Sequence, residues 1–167
     1  MRARGRLYWE TMRPTLAAAV LLLAVLAGDG IAREPERPAE VARARMEHHL
    51  SHVHRLTEHF EGVLGRECPR FASRAEWQTY LEDEIDRVVL LMAHLEEAWV
   101  EAKHTGDDDV RRAAKAPRKR ADRARELVDK LSGCAEGNGA SFSPMSIWRR
   151  IEREVPDRQA RIALPEE

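Results

Sequence analysis

The chain has 167 residues, 28 basic and 29 acidic, with a formal net charge of −1. That near-neutral balance argues against a nucleic-acid binder, and the length allows one domain. It is poor in Val, Ile, Tyr and Phe and rich in Ala, Glu, Arg and Leu, which favours helix and leaves little material for sheet.

Arg2, Arg4, Arg6 and Arg13 precede an apolar run from Leu16 to Ala27, and Gly30 and Ala32 follow at the −3 and −1 spacing of a signal-peptidase site. A run of about a dozen residues covers roughly 18 Å, short of a ~30 Å hydrocarbon core. A cleaved signal peptide over residues 1–32 is therefore expected ahead of a membrane anchor, with Met12 as an alternative start. The expected location is exported, periplasmic or secreted. Cleavage removes four arginines and two acids, Glu10 and Asp29, leaving 24 basic and 27 acidic residues in 33–167. Residues 33–40, with Pro35 and Pro38, read as an extended linker.

Residues 41–134 read as a helical bundle. The first helix runs from about Ala39 to Gly65, with Met46, His49, Leu50, Val53, Leu56, Phe60, Val63 and Leu64 on one side. Ser73 and Glu76 form a capping box for the second helix. That helix carries Trp77, Leu81, Val88, Leu91, Met92, Leu95 and Trp99 on one face and ends at Gly106. Asp107 to Asp109 start a third helix with negative charge where the dipole favours it. Its inner face is rich in alanine, Pro117 either kinks it or opens a second segment, and Gly133 is the expected stop. Residues 135–167 read as a flexible loop to 143, a short helix from Ser143 and Pro144 to Pro156, and a frayed tail.

The expected fold is all-α: a small antiparallel bundle of three main helices plus a short C-terminal helix that packs across them. The up-down-up path brings Cys68 and Cys134 to the same pole. In an oxidising compartment these two cysteines read as one disulfide.

The unusual chemistry is in the first helix, where five of the seven histidines lie within residues 48–59. His48, His52 and His59 share a face. His48 and His52 are four apart, the spacing at which two rings share one ion. His59 lies ~10 Å further along the axis, positioned for a second ion. In antiparallel register His52 falls level with Val88 and His59 with Leu81, so Glu84 is the candidate partner of either. His94 reads as pointing outward. The candidate metal ligands are thus His48, His52, His59 and Glu84, and imidazole with carboxylate suits Zn, Cu, Ni or Co. Against this stand plainer readings: boundary histidines, a surface pair His54–Glu58, and a core His49. Clustered histidines also charge together as pH falls through about 6.5.

The basic residues from Arg111 to Arg125 suggest peripheral contact with an anionic membrane or envelope polymer, or flank pairing with the acids of the second helix. No nucleophile motif, phosphate loop or acid–base carboxylate pair is present, so catalysis is not expected. The expectation is an exported, disulfide-stapled binding protein, with a divalent transition metal as the sharper hypothesis. The alternative is a structural or chaperone-like envelope protein that holds a partner protein without metal. Non-covalent haem on His and Met is a third reading.

Overall fold

The computed structural model describes residues 38–164. The expected signal peptide and most of the linker lie outside these residues. Among them the chain forms α1 (Ala39–Leu64), α2 (Arg74–His104), α3 (Asp108–Lys115), α4 (Ala121–Ala135) and α5 (Pro144–Gln159), with no strand. No helix among the described residues is long and apolar enough to cross a membrane.

Helix α1 buries Ala42, Met46, His49, Val53, Thr57 and Phe60, a 3–4 residue spacing that keeps one stripe inward. The Thr57 hydroxyl is satisfied by the Val53 carbonyl at 2.7 Å. The end of α1 is capped from another helix. Lys130 Nζ on α4 donates to the carbonyls of Val63 (3.0 Å), Leu64 (2.8 Å) and Arg66, placing a cation where the dipole is negative.

The α2 cap forms as the sequence indicates, with Glu76 N donating to Ser73 Oγ at 3.2 Å. The Glu76 carboxylate reaches back to the backbone N–H of Ala72, one residue before the cap. Helix α2 is the centre of the bundle, packed against α1 along its length and against α5 on another side. This explains why Val88, Val89 and Leu91 are all buried: its neighbours cover most of its circumference.

Gly106, at φ +67°, reverses the chain, and Asp107 caps α3 by accepting from the backbone of Asp109 (2.8 Å) and Val110 (3.3 Å). Pro117 opens a 3-10 turn, Ala116–Arg120, that separates α3 from α4. Gly133 does not stop α4. The helix passes through it to Ala135, and the reversal comes at Gly139, also at φ +67°. The expected flexible loop after Cys134 is instead tied down by Asn138. Its amide donates to the carbonyls of Pro69 and Cys134 at 3.0 Å each and accepts from Phe71 N at 3.1 Å. An asparagine pairs both ways, so it holds two loops that have no ladder of their own.

Cys68 and Cys134 are bonded, with Cα atoms 5.4 Å apart. Helix α5 is longer than expected, continuing past Pro156 to Gln159. It runs parallel to α2, because Arg150 pairs with Glu82 (2.8 Å), Arg158 with Asp86, and Gln159 with Glu97 (2.9 Å). Part of the acidic flank of α2 is therefore taken by α5, while Arg118–Glu96 (2.7 Å) follows the expected pairing with the basic stretch. Much of that stretch pairs within its own helix, through Arg111–Asp108, Arg112–Asp109 and Arg123–Glu126.

The core has two parts. The larger joins Phe60, Trp77, Ile85, Leu91, Leu127, Leu131 and Ile151 near the disulfide pole. The smaller, built on Met46, Ala98, Ala102, Val110 and Ala114, lets α3 approach α2 closely at the other pole.

The disulfide closes a loop of 66 residues, which stabilises by ~4 kcal/mol in the chain-entropy model. Reduction, or a Cys68→Ser/Cys134→Ser variant, should lower the unfolding midpoint followed by circular dichroism by roughly 10–15 °C. An unchanged midpoint would mean that packing alone holds this pole.

Candidate metal site

Four imidazoles meet where α1 crosses α2. His49 from α1 and His94 from α2 are both buried, and their Nδ1 atoms are 3.0 Å apart. The His52 ring stacks on His94 at 4.3 Å with an 8° interplanar angle, and His48 lies 4.7 Å from His52. His48 and His52 are half-buried and form the outer edge of the group. The four sit between the two apolar clusters: Met46 and Ala98 flank them on one side, Val53 and Leu91 on the other.

Burial controls their charge. It pushes His49 down to about 4, helped by His48, His52 and Arg45, and His94 down to about 3, helped by His52, His49, His48 and Arg55. His52 is also lowered, by burial first and then by Arg55 and His48. At neutral pH the two buried rings are uncharged, so one Nδ1 donates and the other accepts. Either assignment leaves His49 Nε2 buried without a hydrogen-bond partner among the described residues, at ~1–3 kcal/mol.

The sequence-derived ligands fall in two places. His48 and His52 belong to the four-histidine group. His59 and Glu84 form a separate pair, with His59 Nε2 2.9 Å and 3.1 Å from the two carboxylate oxygens. Glu84 is buried and also accepts from Arg87 Nη1 at 3.1 Å, so it is engaged by His59 and Arg87 rather than by His52 or a base on the third helix. His54 pairs with Glu58 at 3.3 Å on the surface, as its position suggests.

The expectation that His94 points outward is overturned, because α1 covers that side of α2. The expected register is displaced by about one turn. Helix α2 begins beyond the end of α1, and Phe71 packs on its first turn, 6.0 Å from Trp77. The signal for His94 was present nonetheless. Ten residues back along α1 from His59 is His49, and ten residues forward along α2 from Glu84 is His94. Both pairs obey one antiparallel register, so accepting His59–Glu84 places His94 opposite His49.

Among the described residues, no three His, Cys, Asp or Glu side chains stand as ready ligands of one ion. The nearest approach to such a set is the His49–His94 pair. Two nitrogens bound to one tetrahedral ion at 2.0–2.1 Å are about 3.3 Å apart, close to the 3.0 Å observed. A third nitrogen requires the His52 ring to turn out of its stack on His94. A cavity of about 420 Å³ gives the outer rings that room. His48, His52 and His94 form one wall, and Arg158, Arg161 and Ile162 at the end of α5 line the cavity with them.

The depressed values set a pH dependence. The unfolded chain takes a proton on each histidine near 6.5, whereas the folded chain refuses it until about 4 at His49 and about 3 at His94. Stability is full above pH 6.5 and falls as pH drops through that window, by ~1.4 kcal/mol per pH unit for each group. The unfolding midpoint should be level from pH 8 to 7 and drop between pH 6.5 and 5. A His49→Gln/His94→Gln variant should lose most of that slope, and a level midpoint down to pH 5 in the parent would contradict the assignment.

The chain matches no known family, no curated protein and no solved structure at a significant level.

Proposed function

We propose that this is an exported, disulfide-stapled helical bundle that binds a divalent transition metal through His48, His49, His52 and His94. Its role is to sense, buffer or hand on the ion without turning over a substrate. The observation that carries the reading is the pair of buried, uncharged imidazoles with facing Nδ1 atoms at 3.0 Å, bordered by two more imidazoles.

Metal ligands must be deprotonated, and burial keeps His49 and His94 so at neutral pH without help from the ion. His49 and His94 supply the inner two nitrogens. His48 and His52, one turn apart on α1, supply the outer ones after ring rotation. A set of imidazoles without thiolate suits Zn, Cu(II), Ni or Co and disfavours Ca or Mg, which want oxygen. The disulfide and the Lys130 cap hold the pole of α1 beyond the site, so the helices that carry the rings are fixed before an ion arrives. His59–Glu84–Arg87 is an ion-pair group that supports the register.

A ligand that binds only the native state raises the unfolding midpoint, by ~2.7 kcal/mol at a hundred times its dissociation constant. One or more of Zn, Cu(II), Ni and Co should give a saturable upward shift with the oxidised protein. His48→Ala/His52→Ala, which changes only half-buried rings, should abolish most of it, and His59→Ala should leave it intact. No shift with any of the four metals, or one that survives in the double variant, would return the histidines to a structural role and direct the search to partner proteins.

A further inference from the structure

Residues 111–125 hold eight basic residues and one acid, Asp122. Helices α3 and α4, with the 3-10 turn between them, carry this stretch along one nearly continuous helical path. Ala116 stands at φ −57°, ψ −42° and Ala121 at φ −59°, ψ −25°, both right-handed helical. Val110, Ala114, Pro117, Ala121, Ala124 and Val128 are buried or half-buried at a spacing of three and four residues, so one stripe faces the bundle throughout. The same period fixes the opposite line. It holds Arg112, Lys115, Lys119 and Arg123, and all four are exposed. At a rise of ~1.5 Å per residue the line is ~17 Å long, with a cation every ~5–6 Å.

The surroundings of this line decide what fits it. The arginines beside it are drawn toward the bundle: Arg118 reaches Glu96 on α2 at 2.7 Å, and Arg120 reaches His54 Nδ1 on α1 at 3.3 Å. Acids border it on α1, with Glu61 4.0 Å from Arg123 and Glu58 3.3 Å from His54 Nε2. A flat anionic bilayer would press on these acids as well as on the cations. The line also offers a bilayer nothing to insert. Ala113 and Ala116 lie between its cations, and the large exposed apolar residues among those described, Met145 and Leu164, lie on or beyond α5. A single nucleic-acid strand stacks its bases on open aromatic rings, but Trp99 is already covered by Arg118 at 5.7 Å and Lys103 at 5.3 Å. A narrow chain with one negative charge per sugar ring meets the cations alone. The pairs Arg112–Asp109 (3.0 Å) and Arg123–Glu126 (2.6 Å) are exposed, and such pairs exchange readily for a ligand.

We propose that Arg112, Lys115, Lys119 and Arg123 form a docking ridge for a linear acidic polysaccharide. The ridge needs no ion at the four-histidine group. Because the whole chain is near neutral, the attraction is local and is screened by salt.

The test is calorimetric titration of the oxidised protein with an alginate octasaccharide, with Lys115→Ala/Lys119→Ala as the ridge variant. Both lysines are exposed and alanine suits a helical path, so the unfolding midpoint should be kept. Saturable binding is expected, about tenfold weaker in the variant and about tenfold weaker when salt is raised from about 50 mM to about 500 mM. Arg149→Ala/Arg153→Ala, which removes two exposed cations from α5, should bind within about twofold of the parent. Absence of binding at low salt, a ridge variant that binds as the parent does, or an α5 variant that loses as much as the ridge variant would overturn the proposal. So would tighter binding of phosphatidylglycerol vesicles or of oligothymidylate, which would make the ridge a lipid or nucleic-acid surface.

Discussion

The antiparallel register of α1 on α2 is the constraint on which the rest of the molecule depends. Two polar pairs, His59–Glu84 and His49–His94, lie ten residues apart on both helices and are satisfied in the same alignment. Apolar packing contributes to the register through Phe60 and the branched side chains Val53, Ile85, Val88 and Leu91, all buried in one cluster. A one-turn slip would leave Glu84 and the buried imidazoles facing apolar side chains, at several kcal/mol for the carboxylate alone. The polar pairs thus reinforce the one alignment in which both are satisfied.

The two ends of the bundle are held by different means. At one pole the Cys68–Cys134 bond, the Asn138 bridge and the Lys130 cap join three segments that have little apolar surface of their own. At the other, alanines on α2 and α3 allow close approach, and Arg43 reaches from α1 to Asp107 at 3.0 Å. Helix α5 is placed along α2 by several exposed ion pairs, each contributing ~0–1 kcal/mol. Its attachment rests more on buried Ile151 and on Ile147 and Trp148 against the core. This modest attachment matters to the site, since the end of α5 forms part of the cavity beside the histidines.

Much of this was legible in the sequence. The helices, the Ser73 cap, the break at Pro117 and the cysteine pairing all follow from local chemistry or from short connections, which act over a few residues. The errors arose where a long-range partner overrides a local signal. Gly133 is a good local stop, but α4 gains by continuing to the pole where Asn138 and the disulfide hold it. Pro156 is a good local stop, but α5 keeps its pairing with α2 by passing through it. The half of the histidine group on α1 was readable as a cluster of histidines. The half on α2 was legible only through the register, because His94 is a single residue whose burial depends on which residue of α1 it faces.

The site that results is a patch of imidazoles, its two buried rings uncharged at neutral pH, set in the junction between two apolar clusters and open on one side to a cavity bearing arginine. The most direct measurement is a histidine-selective ¹H–¹⁵N NMR titration of the oxidised protein with Zn. The account predicts that the ring signals of His48, His49, His52 and His94 shift together and saturate at one ion per chain, while those of His54 and His59 stay in place. Shifts at His54 or His59 with the four seam histidines unmoved would contradict it.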